Sequence, residues 1–364
     1  MMTNDLAKIF AGKRVFLTGH TGFKGSWLAL WLQDLGAEVV GYSLAPPTEP
    51  NHFTVARIAD GLVGHYEADL TDLEQLNSAL EWTRPELILH LAAQSVVRTG
   101  YAQPYETFKT NVMGTVALLD AVRRLGQRCA ILCVTSDKCY ENREQVWGYR
   151  ENDALGDHDP YGASKGAAEI AIRAYRDSFF PPSQVAKHGV ALASARAGNV
   201  IGGGDWKSHA LLPDAFRALA AGEPIASRNP DATRPWQHVL QCLSGYLAIS
   251  AQLLSDCPMS ACTSWNIGPI TGSELPVRQV LDLFLEAWGE GSWIHVGEQN
   301  APREATILRL CIDKAVWQLG WQPAWDVKTA IRETARWYRH YQECPTGMRE
   351  FSLQQIRSYG QQHS

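Results

Sequence analysis

At 364 residues, a norm of ~150 residues per domain predicts about two domains, or one large α/β unit with an appendage. A composition of 45% hydrophobic and 20% charged residues, with 30 Gly and 18 Pro, excludes a disordered, collagenous or coiled-coil chain. Thirty-three basic against 38 acidic residues give a formal charge of −5, which offers nucleic acid or an anionic membrane no broad attraction.

The first predicted unit is a strand, Val15-Phe16-Leu17-Thr18, ended by the glycine-rich turn Gly19-His20-Thr21-Gly22-Phe23-Lys24-Gly25. The apolar run from Ser26 to Leu32 then continues as a helix that stops at Gly36. A second strand follows at Val39–Tyr42, and the proline-rich stretch from Ala45 to Pro50 reads as a surface loop. Further strands are predicted at Leu62–Ala68, Leu87–Leu91, Ala130–Thr135 and Val190–Ala195. Helices are predicted between them at Asp72–Trp82, Tyr105–Leu125 and Ala163–Phe179. Short strands separated by helix-length connections require parallel pairing with right-handed crossovers, so the fold class is a doubly wound α/β sheet. After Gly198 the rhythm breaks into Gly- and Pro-rich loops, with helices at Leu211–Ala221, Val239–Leu254, Val277–Trp288 and Val327–Tyr341. The chain thus divides into a dinucleotide-binding domain, 1–198, and a smaller mixed α/β lobe, 199–364, with returns to the sheet allowed. No run approaches the ~20 apolar residues of a bilayer span, and the N-terminus lacks a basic-then-apolar leader, so a cytoplasmic protein is expected. The eight cysteines show no zinc spacing and read as reduced thiols, most of them buried on strands; no metal site is expected.

A glycine turn between a strand and a helix lets the backbone approach a pyrophosphate, while the helix N-terminus supplies unpaired N–H groups and a partial positive charge. Gly19, Thr21, Gly22, Phe23, Lys24 and Gly25 are therefore candidate dinucleotide ligands. Tyr161 and Lys165, one helical turn apart, project from the same helix face, where an ammonium favours a phenolate able to take a proton from a hydroxyl. Thr135-Ser136-Asp137-Lys138 follows a strand at the carboxyl end of the sheet, the edge at which such folds bind ligands.

The G-x-x-G-x-x-G spacing and Tyr161-Gly162-Ala163-Ser164-Lys165 resemble the extended short-chain dehydrogenase/reductase family. Ala68-Asp69-Leu70-Thr71-Asp72, His90-Leu91-Ala92-Ala93-Gln94 and Asn111 stand where that family contacts its cofactor, and the resemblance runs from about Arg14 to the C-terminal helix. It implies a Rossmann domain, NAD as cofactor, ligands at Asp69, Leu70, Leu91, Ala92, Ala93, Gln94 and Asn111, and a homodimer paired through the helices Tyr105–Leu125 and Ala163–Phe179. One departure leaves NADP open. The second strand ends in Tyr42-Ser43-Leu44 where the family places a ribose-binding acid, and Lys24 is compatible with a 2′-phosphate.

Reductases and 4-epimerases of the family need only Ser136 here to bond the substrate hydroxyl, whereas nucleotide-sugar 4,6-dehydratases add an acid and a second proton-transfer group. Asp137-Lys138 matches that second pattern. With the segments from Arg196 to Trp206 and from Thr233 to Val239, it resembles the dehydratases acting on CDP-glucose. The implied roles are Tyr161 and Lys165 for oxidation at C4, Asp137 as acid to the C6 hydroxyl, and Lys138 as C5 base or enolate stabiliser. Asn199 and Arg234 are the implied contacts to the substrate pyrophosphate. Arg303 and Arg309 are weaker candidates, and Trp206, Trp236, Trp317, Trp321 and Trp325 belong mainly to core or interface. The implied product is a deoxysugar precursor of the O-antigen, lipopolysaccharide type. A 4-epimerase or reductase, and a non-catalytic dinucleotide sensor, are the competing readings. The Asp137-Lys138 pair argues against the first, and the intact Tyr161 and Lys165 against the second.

Overall fold

The computed structural model describes residues 3–270, 272–297 and 308–362. Its centre is a seven-stranded, all-parallel sheet. The strands are β1 (Arg14–Thr18), β2 (Glu38–Ser43), β3 (Gly64–Glu67), β4 (Leu87–His90), β5 (Cys129–Val134), β6 (Val190–Ala197) and β7 (Ser264–Ile267), in the spatial order 7-6-5-4-1-2-3. Chain direction across the sheet reverses at β1, and the β1–β4 register, Val15 opposite Leu87 through Thr18 opposite His90, brings the two loops that follow side by side. That junction is where an open α/β sheet forms its ligand crevice.

Alternation along each strand feeds two cores. Val15, Leu17, Leu89 and Leu132 enter one hydrophobic cluster, while Phe16, Ile88, Ile131 and Leu192 enter the other. The second cluster is closed by α2 (Leu73–Thr83), α3 (Gly114–Leu125) and α4 (Pro160–Ser178), whose Leu76, Leu118 and Ile172 pack beneath the sheet. Against the first lies α1 (Phe23–Asp34), which is buried from Gly25 to Leu32 because it is covered on several sides. Its cover comes from the later part of the chain. There α5 (Leu211–Ala220), α6 (Val239–Leu253), α7 (Val277–Trp288), α8 (Val327–Glu343) and α9 (Met348–Gln361) surround three short strand pairs. On β6 the side facing this cluster is Ala191, Ala193, Ala195 and Ala197, small enough for α6 to lie close.

The strand β7 comes from a segment the sequence left unassigned and is a return to the sheet from beyond residue 198. Two expectations need correction. The helix expected over Tyr105–Leu125 is broken into Pro104–Phe108, a π-helical turn Lys109–Met113, and α3. All eight cysteines are free, but only Cys129 and Cys133 lie on strands; Cys257 and Cys344 are exposed. Among the described residues no helix is long and apolar enough to cross a membrane, and no His/Cys/Asp/Glu group could hold a metal ion.

Candidate active site

The glycine turn joins β1 to α1, and its glycines differ in what they accommodate. Gly19 has φ +76°, and a Cβ there would stand 2.7 Å from the Ala92 nitrogen; one on Gly25 would stand 2.0 Å from the Gly19 oxygen. Both are required by the protein's own packing. Gly22 is not: its φ is −75°, and a Cβ would meet nothing nearer than 3.4 Å. Gly22 is also the N-cap of α1 and makes no side-chain cap, so the first-turn amides are left for an anion. This cradle fits a dinucleotide pyrophosphate. Thr21 anchors the turn, its hydroxyl donating to the Leu44 carbonyl and accepting from Ser43, both at 2.8 Å. Phe23 faces Gly202 of the lobe, where a Cβ would come within 3.1 Å of its ring. The charge of Lys24 is felt at Lys165 and at Asp137.

At the end of β3, Asp69 is exposed, and its Oδ1 accepts from the amide and hydroxyl of Thr71 at 2.8 Å each. Leu70 is buried against Gly114. The half-buried loop Leu91, Ala92, Ala93 and Gln94 begins where the Thr18 hydroxyl accepts from the Ala92 amide at 3.1 Å. Asn111, on the π-helical turn, accepts from the Gln94 amide at 2.8 Å and donates to the Gln94 carbonyl at 3.0 Å and the Ser164 hydroxyl at 2.8 Å. The Gln94 amide group donates to Thr107 at 2.8 Å. Asn111, expected to touch the cofactor, ties the loop that begins at Leu91 to the helix that carries Tyr161 and Lys165. Wide turns of this kind recur at functional sites.

That helix, α4, starts at Pro160 and is capped by Asp159, which accepts from the amides of Tyr161 at 2.9 Å and Gly162 at 3.0 Å. Tyr161 and Lys165 are both buried. Burial pushes the Tyr161 phenol up, opposed by a hydrogen bond with Ser136. Lys165 carries the larger consequence, lowered to about 8 by burial and by the charge of Lys24.

Ser136, Asp137 and Lys138 form a short turn after β5. Ser136 donates to the Asp137 Oδ1 at 2.9 Å, and the Lys138 amide donates to the same oxygen at 2.9 Å. Burial raises the Asp137 carboxyl above its ordinary range, against the Ser136 hydrogen bond and the charges of Lys138 and Lys24. A buried carboxyl held toward its protonated form is a general acid in waiting. Lys138 is half-buried, and none of the ion pairs among the described residues joins it to Asp137.

Asp137 opens into a cleft lined by Gly198, Pro235, Pro269, Glu274, Leu308, Arg309 and Leu310. Asn199, exposed, follows Gly198; Arg234 precedes Pro235 on a two-stranded pair with Glu274–Pro276 and donates to the Thr233 carbonyl at 3.1 Å. The cleft wall includes an ion pair, Arg309 to Glu274 at 2.7 Å. Glu274 carried no signal in the sequence, and Arg303 lies outside the described residues. Trp206, Trp236, Trp321 and Trp325 are buried, while Trp317 is 86% exposed.

The sequence profile described as GDP-mannose 4,6 dehydratase matches residues 16–334. A CDP-glucose 4,6-dehydratase from Salmonella typhimurium is 47% identical over 329 residues, 90% of this chain and 91% of that protein. Among solved structures, a dTDP-glucose 4,6-dehydratase from Streptomyces venezuelae superposes with a TM-score of 0.74 at 24% identity, covering 91% of this chain and 98% of the other. An epimerase from Methanothermobacter thermautotrophicus superposes at 0.77 with 21% identity, covering 94% and 96%. The chain thus belongs to the GDP-mannose 4,6 dehydratase family, the nucleotide-sugar 4,6-dehydratases built on the short-chain dehydrogenase/reductase fold.

Proposed function

We propose that the protein converts CDP-D-glucose to CDP-4-dehydro-6-deoxy-D-glucose and water, with NAD as its bound cofactor. The observation that carries this reading is Asp137, a buried carboxyl raised toward protonation, bonded to Ser136, lining a cleft, and near enough to Tyr161 for its charge to act on the phenol. The identity to the Salmonella CDP-glucose enzyme supports the nucleobase. NAD is supported by the related dTDP-glucose 4,6-dehydratase structure from Streptomyces venezuelae, which holds NAD.

The cradle over Gly22 and the amides that open α1 would hold the pyrophosphate, and the loop Leu91–Gln94 would border the rest of the dinucleotide. NAD held there supplies the acceptor for the C4 hydride and its return to C6. Tyr161 takes the C4 hydroxyl proton, with Ser136 bonding the same oxygen and Lys165 nearby as the cation that balances a phenolate. The C4 ketone acidifies C5. Lys138 removes that proton, or stabilises the enolate while solvent takes it, and Asp137 protonates the departing C6 hydroxyl, which leaves as water; when hydride comes back to C6, a proton returns to C5 from the group that took it. The reaction consumes no net oxidant.

Asn199 and Arg234 are assigned to the substrate pyrophosphate. Large apolar side chains on the outer helices, Tyr101 at 64%, Tyr105 at 75%, Met113 at 55% and Ile170 at 49% exposure, support a homodimer through the helices around residues 97–125 and 160–179. Light scattering at micromolar concentration checks it. The protein is placed in the cytoplasm, supplying deoxysugars for lipopolysaccharide of the O-antigen type. The function is tested by incubating the protein and NAD with CDP-, UDP-, dTDP- and GDP-hexoses. A 4-keto-6-deoxy sugar formed fastest from CDP-glucose is the expected result; a 4-epimer without loss of water overturns it.

A further inference from the structure

Behind the catalytic turn lies a buried charge network that the reaction as described does not use. Glu169, one turn beyond Lys165 on α4, and Arg196, on β6, form an ion pair at 2.8 Å with side chains 1% and 3% exposed. Glu169 collects three further donors: the hydroxyls of Thr135 at 2.6 Å, Ser194 at 2.9 Å and Ser264 at 3.4 Å. Arg196 donates in addition to the Tyr140 hydroxyl at 2.7 Å and the Glu151 carbonyl at 3.0 Å. The Tyr140 hydroxyl passes the chain on to Asn266 of β7 at 2.7 Å, and Asn266 donates to the carbonyls of Tyr149 at 2.8 Å and Cys311 at 3.1 Å.

Thr135 and Tyr140 are the residues immediately before and after Ser136-Asp137-Lys138-Cys139. The network therefore grips the catalytic turn at both ends, and its carboxylate grows from the helix that presents Tyr161 and Lys165. Stability alone is a poor reason for it. A buried ion pair loses much of its Coulombic gain to desolvation, and here the buried Arg196 Nε is left with no hydrogen-bond partner. What four hydrogen bonds onto one carboxylate do provide is a fixed geometry. Burial opposes the ionisation of Glu169, but Arg196 and the hydroxyl donors together hold its carboxyl below the ordinary value, so the negative end of the grip stays charged.

We propose that the Glu169–Arg196 pair, acting through Thr135 and Tyr140, is a positioning device that sets the Asp137 carboxyl and the Lys138 side chain for the elimination half of the reaction. This rests on the dehydratase reading above. The C4 oxidation draws Tyr161 and Lys165 from α4, held by the Asp159 cap, and only the Ser136 hydroxyl from the turn, whereas both proton-transfer groups of the elimination stand on that turn. Elimination depends on where the turn after β5 holds Asp137, and misplacing a reacting group by a fraction of an ångström is enough to slow one step selectively.

Two neutral substitutions test this without stranding a buried charge. Tyr140→Phe keeps the ring 4.9 Å under the Arg196 guanidinium and removes only the hydroxyl; Thr135→Val removes the other contact, and Thr135→Ser restores it. With CDP-glucose and the NAD-loaded enzyme in a single turnover, C4 oxidation read as nicotinamide absorbance should slow by less than ~2-fold in Tyr140→Phe and Thr135→Val. Formation of the 6-deoxy product should slow by about 10-fold, with reduced cofactor accumulating, KM unchanged, and recovery in Thr135→Ser. Equal slowing of both steps, no slowing of either, or a raised KM alone overturns the proposal while leaving the function intact. If the unmodified enzyme makes no 4-keto-6-deoxy sugar from any nucleotide hexose, the functional reading fails first and the proposal falls with it.

Discussion

The proposed general acid has to be kept from ionising, and burial raises the Asp137 carboxyl while its Oδ1 takes two hydrogen bonds at 2.9 Å. The bonds fix the oxygen's direction and by themselves favour the carboxylate, while burial outweighs them and raises the pKa. Asp137→Asn keeps the shape and removes the transferable proton. With CDP-glucose added, the variant should form enzyme-bound NADH and a 4-keto-glucose nucleotide, while 6-deoxy product falls by the ~10²–10⁴ typical of losing a general acid. Parental rates of product formation in Asp137→Asn would remove the carboxyl from the chemistry. Tyr161 and Lys165 stood out in the sequence because a spacing of one turn puts them on one helix face, whereas Ser136, Asp137 and Lys138 stood out through their resemblance to the dehydratase pattern. Glu274 carried no signal and Arg309 only a weak one, because the cleft wall is assembled from segments with no common period. Asn111 was placed near the cofactor loop correctly, but its three bonds to Gln94 and Ser164 could not be read from a lone Asn in a helix.

Within the β1–turn–α1 element the glycines divide the work between fold and ligand, and substitution separates the two. Gly25→Ala puts a methyl 2.0 Å from the Gly19 oxygen, so the turn must open; a loss of about 2 kcal/mol or more in urea unfolding is expected, together with loss of dinucleotide binding. Gly22→Ala meets only ordinary contacts at 3.4 Å and keeps φ −75°, which alanine adopts freely. It should cost no more than about 1 kcal/mol as a changed N-cap, yet weaken NADH binding by ~10-fold or more in a fluorescence titration, because the new methyl occupies the cradle. Unchanged NADH affinity in Gly22→Ala would mean that the turn does not hold the pyrophosphate. Among elements, β7 escaped the sequence because Ser-Trp-Asn-Ile is no apolar run; Asn266 is buried there only because Tyr140, Tyr149 and Cys311 satisfy its amide. The π-helical turn escaped for another reason: one extra residue in a helical turn leaves the apolar pattern almost unchanged, while it redirects Asn111.

Across the whole molecule, four imidazoles are sealed in the core and set its tolerance of acid. His20, His52, His90 and His238 are each lowered to about 3, with burial the leading cause and the charge of His65 adding at His20 and that of Lys165 at His90. Their surroundings favour the neutral ring. His90 is held between the hydroxyls of Thr18 at 2.8 Å and Thr115 at 3.0 Å, and His52 between Ser26 at 2.9 Å and Ser352 at 3.2 Å. Both nitrogens of His20 and the Nε2 of His238 lack any hydrogen-bond partner. An unfolded chain protonates these rings from the ordinary value of 6.5 downward, whereas the folded chain waits until about 3, so within that interval unfolding takes up protons and stability falls as pH falls. Each ring removes ~1.4 kcal/mol per pH unit once well below its unfolded value. Asp137 and Asp205 work in the opposite direction, because their raised carboxyls bind protons in the folded state before the unfolded one does. Two such groups offset part of four. The free energy of unfolding in urea should therefore decline as pH falls below about 6.5, with two to four protons taken up on unfolding near pH 5. Acid loss driven only by carboxylates such as Glu169, which are lowered by their partners, would begin below about 4.5 instead. A stability profile that stays level down to about pH 5 would show that the buried rings accept protons without unfolding, and that the core around α1 and α6 is open to water.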